Sequence, residues 1–406
     1  MINVRWEQHP VGHGGFHTGV MSTFDSPSIQ WIFDCGAKRT AKFDAYLRDW
    51  LDNNTRPVDW LFISHFDTDH VSGLDTLMAG AVVDNVMVPY LNEHEIILQL
   101  LEEAGRGALD RKLVELAVDP AVYFLSRGAR RVTFVRGSGP GREDIGGPET
   151  PPDKGKGWET RCNPAPRDLK APRWSPAGVA HESAVQVIES DSDLTVSRGG
   201  AGIRFKPYRA PITDASNDGL IDAVQALVGA SVKTQGRPGL GDLAYAVANH
   251  ARTPAGRADL RHLFKTHLGS SNRASLSVLS VPIVDEPMTA HWHVEHASDF
   301  DAGSAEPGWL NTGDAELFAS ADLADWEDCY AIFLDSVRVL ALPHHGSDHN
   351  SNGALQQLCA GATLTAQVKA VGKKHPGANV AMSAGDRLVR VTEQAATSVR
   401  MYFYAG

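Results

Sequence analysis

Two histidines and two aspartates fall within six residues of the stretch "WLFISHFDTDHVSGL": His65, Asp67, Asp69 and His70. Imidazole and carboxylate are the hard-to-borderline donors that divalent cations take, so this density points to metal binding. The competing account is an Asx-turn loop that satisfies its own backbone. "WLNTGDAEL" adds Asp314 behind a Thr-Gly pair, which alone reads as a plain turn, and "VLALPHHGSDHNS" runs an apolar segment straight into His344 and His345. Adjacent side chains at a strand end point in opposing directions. One of these two histidines is therefore expected as a direct ligand and the other as its support, and the sequence leaves open which is which.

Such donors need rigid elements to bring them together. Trp60 to Ile63 reads as a buried strand that ends where the donor loop begins. Residues 1 to 135 alternate strand-like segments ("SIQWIFDCGA", "VVDNVMVPYL", "RRVTFVRG") with helix-like ones ("AKFDAYLRDWLDNN", "NEHEIILQLLEEAG", "RKLVELAV"), which predicts α/β layering. Sixteen of the 44 residues from 137 to 180 are Gly or Pro, so little regular structure is expected there. This insertion reads as a surface segment or as a loop packed near the site. Strands resume at "SAVQVIES" and "GIRFKPYR", and residues 216 to 268 carry the i, i+3/i+4 spacing of helices. Further strands are expected in "SLSVLSVPIV", "YAIFLDSVRVLALPHH", "LTAQVKAVGKK" and "SVRMYFYA", with "NGALQQLCAGA" as a helix among them. No fixed short repeat is present. The reading is one domain over 1–406, of class α/β (α+β), with insertions at 137–180, 216–268 and 285–308.

Bulk composition narrows the function classes. A 406-residue chain with 42% hydrophobic and 21% charged residues is that of a globular protein, and no apolar run is long enough for a membrane span. The N-terminus lacks a signal-peptide layout, and Cys35, Cys162, Cys329 and Cys359 lie far apart without CxxC spacing. Reduced, mostly buried thiols in a cytoplasmic protein are expected. A formal net charge of −11 disfavours a protein that coats nucleic acid with a broad basic face, though not a nuclease with a local groove. Arg127, Arg130, Arg131 and Arg136 form a basic cluster that could hold a phosphate backbone or simply line a solvated edge.

Taken together and in order, "SHFDTDHVSGL", "NRASLSVLSV", "NTGD" and "LPHHGS" resemble the metallo-β-lactamase superfamily. More narrowly, they look like the metallo-β-lactamase-like domain of ComEC competence proteins and their free-standing soluble relatives. "PVGHGGFHTG" and "VGKKHPGANV" add weaker agreement. The resemblance implies an αββα sandwich with a dinuclear site on the rim between two sheets, holding two divalent ions, Zn²⁺ or Mn²⁺. It implies His65 and Asp67 on one metal, Asp69 and His70 on the other, Asp314 as a bridge, and His344 or His345 completing the second site. Two cations about 3.5–4 Å apart can activate a water and stabilise both oxygens of a displacement. Asp69, His344 or His345 would assist proton transfer.

The superfamily's His-x-His-x-Asp-His has Asp67 at its second histidine, and an oxygen donor there favours Mn²⁺. His375, Ser347, Asn272 and His13 are expected to touch substrate or to orient ligands, though turn roles account for several of them equally. His17 has the same status, His94 reads as a solvated helix start, and His291, His293 and His296 as a solvated loop. Packing accounts for Cys35. The implied function is metal-dependent hydrolysis of a phosphodiester in nucleic acid or a nucleotide. One alternative is hydrolysis of a small-molecule ester, lactone or thioester. The other is a partner-dependent regulatory subunit of a multi-protein system, with a role in defence as one setting.

Overall fold

The computed structural model describes residues 1–24, 26–107, 109–137, 158–163, 184–198, 201–211, 218–229, 239–267, 271–284, 290–295 and 306–406. Two sheets dominate them. The first orders its strands Ala290–Val294, Val399–Ala405, Ile2–Gln8, Gly14–Thr23, Ser26–Ala37, Val58–Phe62, Val83–Pro89, Arg131–Arg136 and Val185–Glu189. The second runs Leu388–Val391, Thr363–Gln367, Val337–Ala341, Gly308–Asn311, Ser277–Val284, Ala201–Tyr208, Asp193–Arg198 and Glu159–Asn163.

Period-two alternation makes each sheet two-faced. In Val58–Phe62 and the residue after it, Trp60 and Phe62 point between the sheets, whereas Leu61 and Ile63 point to the helix-covered side. The inter-sheet core is aromatic. Trp6 and Trp31 meet edge-on at 6.2 Å, and Trp31 and Phe62 both pack on Phe205 across the gap. Helices Thr40–Asn53, Leu74–Gly80, Glu93–Arg106, Arg111–Val118 and Pro120–Leu125 cover the outer face of the first sheet. Helices Ser320–Tyr330, Gly353–Leu358 and Ala378–Ala384 cover that of the second. The layers are therefore α, β, β, α, as expected. The 216–268 region forms helices Asp218–Val228, Leu240–His250 and Pro254–Thr266. Their apolar stripes (Leu220, Val224, Leu243, Val247, Leu260) close on Ile97, Leu101 and Ala104 of helix Glu93–Arg106 in a separate small core.

Three local expectations differ. Residues 290–294, read as part of a loop, form a strand paired antiparallel to Val399–Ala405. That pairing depends on a partner more than a hundred residues away, which a five-residue segment does not announce. The "YAIFL" start of an expected strand instead takes in the last residue of helix Ser320–Tyr330, whose Trp326 and Tyr330 are buried four residues apart, then a turn and the start of the 3-10 segment Leu334–Ser336. Most of 137–180 lies outside the described residues. Within it, Glu159–Asn163 is a strand, paired with Asp193–Arg198.

Pairing direction is what matters for the site. Ser26–Ala37, Val58–Phe62 and Val83–Pro89 run parallel to one another. So do Gly308–Asn311, Val337–Ala341 and Thr363–Gln367 in the other sheet. Asp34, His65, Asp314, His344 and His345 all sit at the carboxyl ends of such strands, where α/β sheets leave a crevice.

Candidate metal centre

The donor loop is partly a single helical turn, Thr68–Val71, with Asp67 at its cap position in extended backbone. That turn throws Asp69 and His70 to one side of the loop and leaves Asp67 on the other. Six donors then gather in two groups, His65 with His70 and Asp314, and His13 with Asp69 and His345. In the first, His70 Nε2 lies 3.3 Å from Asp314 Oδ1, and His65 Nε2 lies 3.6 Å from Asp314 Oδ2. In the second, His13 Nε2 and His345 Nε2 each lie 3.4 Å from Asp69 Oδ2. His345 Nε2 is also 4.0 Å from Asp314 Oδ1, so the groups adjoin.

Every donor is buried, and His65 Nε2, His70 Nε2, His345 Nε2 and Asp314 Oδ1 make no hydrogen bond. A buried polar atom without a partner is costly, on the order of 1–3 kcal/mol. Several converging on two points fit divalent cations, because each imidazole nitrogen aims a lone pair there. The charge balance agrees. Burial lowers the His70 pKa, but the Asp314 and Asp34 carboxylates outweigh it and raise it well above the usual range. Burial works against ionising Asp314, yet His344, His70 and His65 hold its carboxyl well below the usual range. Asp69 is held down in the same way against burial by His345, His70 and Lys38. The pocket thus wants positive charge between anionic carboxylates.

Supporting contacts fix the rings. Asp34 Oδ2 accepts from His70 Nδ1 at 2.7 Å and from Ser64 Oγ at 2.7 Å, while Oδ1 accepts from the Ser64 backbone N–H. This carboxylate–imidazole pairing is the usual brace of a metal-ligating histidine. Asp34, His344 and His345 are the three non-glycine residues with positive φ among those described, at 57°, 47° and 58°. Strained backbone confined to the site is a device for aiming side chains. Two glycines admit the close approach. A Cβ on Gly15 would sit 2.9 Å from His70 Nδ1, and one on Gly313, at φ +55°, would sit 2.5 Å from the Ser64 Cβ.

The remaining sequence candidates distribute as follows. Asp67 belongs to neither group. It faces helix Glu93–Arg106, whose Gln99, Glu103 and Arg106 share one side at i, i+4 and i+7. Arg106 Nη1 contacts Asp67 Oδ2 at 2.5 Å, and Glu103 accepts from the Thr68 hydroxyl. An Asn92/Glu95 capping box starts this helix and fixes its register. Asp67 Oδ2 remains 3.7 Å from His65 Nε2, at the margin of the first group.

His344 is the less buried of the histidine pair. Its Nδ1 lies 2.9 Å from Asn272 Nδ2 and 3.0 Å from Asn350 Oδ1, and its Nε2 lies 3.7 Å from Asp314 Oδ2. His375 stacks on it at 5.6 Å, and burial with the neighbouring His345 and His344 pushes the His375 pKa down to about 4. Ser347 caps its own turn, its hydroxyl accepting from the His349 N–H. His94 is half-buried at the start of its helix, and His17 is buried against Trp309, where it lines a small cavity with His70, Asp314 and His345; neither belongs to a donor group. His291 and His293 lie on an edge strand of the first sheet, and His296 lies outside the described residues.

The four cysteines are free. Burial raises their thiols, those of Cys162, Cys329 and Cys359 to about 12. Arg127 and Arg130 of the basic cluster are engaged by Asp75 and Asp84. No helix among the described residues is long and apolar enough to cross a membrane.

Two participants escaped sequence reasoning. His13 was placed near substrate rather than among the donors, although the glycines beside it were the available signal. Lys38, which reaches Asp69 Oδ2 at 3.5 Å, belongs to no motif.

No family model and no curated protein matches the chain. Among solved structures, the metallo-β-lactamase MIM-1 from Novosphingobium pentaromativorans is similar over 93% of this chain and 86% of that one, at 11% identity and a TM-score of 0.27. Likeness at that level says nothing about the site. The layering and the donor groups rest on the sheets and side chains themselves.

Proposed function

We propose that this chain is a metal-dependent hydrolase of the metallo-β-lactamase superfamily, related to the soluble ComEC-like proteins. Its two donor groups would each hold a divalent ion, and its substrate would be a phosphodiester of nucleotide size or an accessible strand end. The observation that carries the proposal is the convergence of unpartnered imidazole nitrogens and two ionised, buried aspartates on two adjoining points. When bound, divalent cations there would polarise the substrate's oxygens and activate water. With Asp67 turned to Arg106, each group offers two imidazoles and one carboxylate. That balance suits Zn²⁺ better than the oxygen-rich set implied by the sequence, with Mn²⁺ as the second choice.

The chain's own residues supply the rest. A cleft of about 540 Å³ opens from His344 and is lined by Asn272, Ser347, His349, Lys374 and His375, with Glu102 and Glu316 at other points of its wall. That size suits a small ligand rather than a duplex. Lys374 is placed to meet a phosphoryl oxygen. His344, partly exposed to the cleft, is the group best placed to hand a proton to a leaving oxygen, and Asn272 and Asn350 hold its ring. His375 itself is neutral at pH 7 and contributes no charge to the cleft.

One observation favours the small-molecule ester or lactone alternative: the cleft mixes acidic with basic residues instead of forming a basic groove. Purified protein loaded with Zn²⁺ or Mn²⁺, assayed on bis-p-nitrophenyl phosphate, short single-stranded DNA and RNA, a lactone and a carboxylic ester, separates the two. Diester cleavage that disappears in Asp314→Ala supports the proposal. Ester or lactone turnover alone moves the assignment to the alternative. No turnover of any of them by metal-loaded protein counts against the hydrolase reading.

A further inference from the structure

The two donor groups carry the same residue types, yet among the described residues only the second has a lysine or arginine directly on its donors; Arg106 reaches the first group no nearer than Asp67 at its margin. Lys38 follows directly on strand Ser26–Ala37, and its backbone N–H donates to the His13 carbonyl at 2.9 Å. That bond ties the two residues together. The Lys38 ammonium then reaches back to His13 Nε2 at 2.5 Å and lies 3.5 Å from Asp69 Oδ2. His13 Nε2 accepts from the ammonium through the same lone pair that it would give to a metal. Its neighbour His345 packs ring on ring at 3.9 Å, closing the group on the other side. The Lys38 side chain is 43% exposed, so it has solvent to swing into, unlike the buried donors it covers.

From this geometry we infer that Lys38 is a built-in cation for the second group, which a metal must displace in order to bind. The inference rests on the donor groups of the proposed function. Two consequences follow. The sites fill in order, with His65, His70 and Asp314 first. The second site is weakened by the free energy of turning Lys38 out, and the displaced ammonium stands at the mouth of the site, free to meet an anionic substrate. Lys38 matches none of the motifs, and it sets the relative affinity of the two sites rather than the chemistry of either.

The test is calorimetric titration of metal-stripped full-length protein with Zn²⁺ alone, comparing wild type with Lys38→Met, Lys38→Arg and His13→Ala. Urea unfolding confirms that each variant folds. Wild type is expected to show a tight and a weaker event, the weaker one absent in His13→Ala. Lys38→Met should strengthen the weaker event by about 10–100-fold, the range over which groups around a metal site tune affinity. The tighter event should stay where it was, and Lys38→Arg should keep the wild-type pattern. One ion in wild type and two in Lys38→Met would support the inference equally. Two events with the weaker unchanged or further weakened in Lys38→Met would overturn the role of Lys38 and leave the donor groups standing. Failure of every protein to bind Zn²⁺ would overturn the proposed function and this inference together.

Discussion

The two donor groups contain the same atoms in different settings. His65 and Asp314 follow the carboxyl ends of central strands in opposite sheets, His70 comes from the one-turn helix Thr68–Val71, and Asp34 and Ser64 brace it from behind. His13 directly precedes interior strand Gly14–Thr23, Asp69 shares the one-turn helix with His70, His345 sits in a left-handed turn after strand Val337–Ala341, and a partly exposed lysine lies against this group. Identical donor chemistry therefore does not mean identical sites. On the inference drawn from Lys38, the first group would retain an ion and the second would exchange one.

The most severe way to break the comparison is to remove donors. His70→Ala should abolish the tighter metal event and cost turnover by more than the ~100-fold typical of losing a mere supporting group. His345→Ala should cost only the weaker event, with elemental analysis after dialysis giving the count. A milder cut is Asp34→Asn, which keeps the shape but removes the charge that braces His70. Affinity at the first group should fall by about 10–100-fold, with the second group unaffected, by the same titration.

Smaller again is Arg106→Ala. It strips the buried Asp67 of its cation and should cost about 1–3 kcal/mol in urea unfolding, because the carboxylate loses its charged partner. If Asp67 then turns to the first group, metal affinity rises while stability falls.

The smallest effect is one of pH. Burial lowers the His17 pKa to about 3 in the folded protein. Between that value and the unfolded value of about 6.5, the unfolded chain takes up a proton that the folded one refuses, so stability falls as pH drops through this window. Replacing His17 with Phe should flatten the slope by about 1 kcal/mol per pH unit between pH 6 and 4. Denaturant melts of metal-free protein at several pH values measure this.

Much of this was legible in the residues. The strand ending in the donor loop, the Asp314 turn and the paired histidines were marked by apolar runs that stop at polar clusters, a local signal. Asp67 was not, because its partner Arg106 lies 39 positions away on a helix that only tertiary packing brings near. His13 was half-legible. Its neighbouring glycines announce close backbone approach, but nothing in the chain says that the approach is to Asp69. Lys38 could not be read at all, since a single lysine after a strand is what most solvated turns contain. Strand Ala290–Val294 was missed because, among the described residues, its one neighbour in the sheet is the strand Val399–Ala405, more than a hundred residues away. Local patterns report an element's own faces. The contacts that decide which donors share an ion are long-range.

Diffraction from crystals soaked in Zn²⁺, recorded on either side of the zinc absorption edge, tests the central claim most directly. The account predicts two anomalous peaks, the stronger among His65, His70 and Asp314 and the weaker among His13, Asp69 and His345, with Asp67 still on Arg106. A single peak liganded by Asp67, or none at either group, would contradict it.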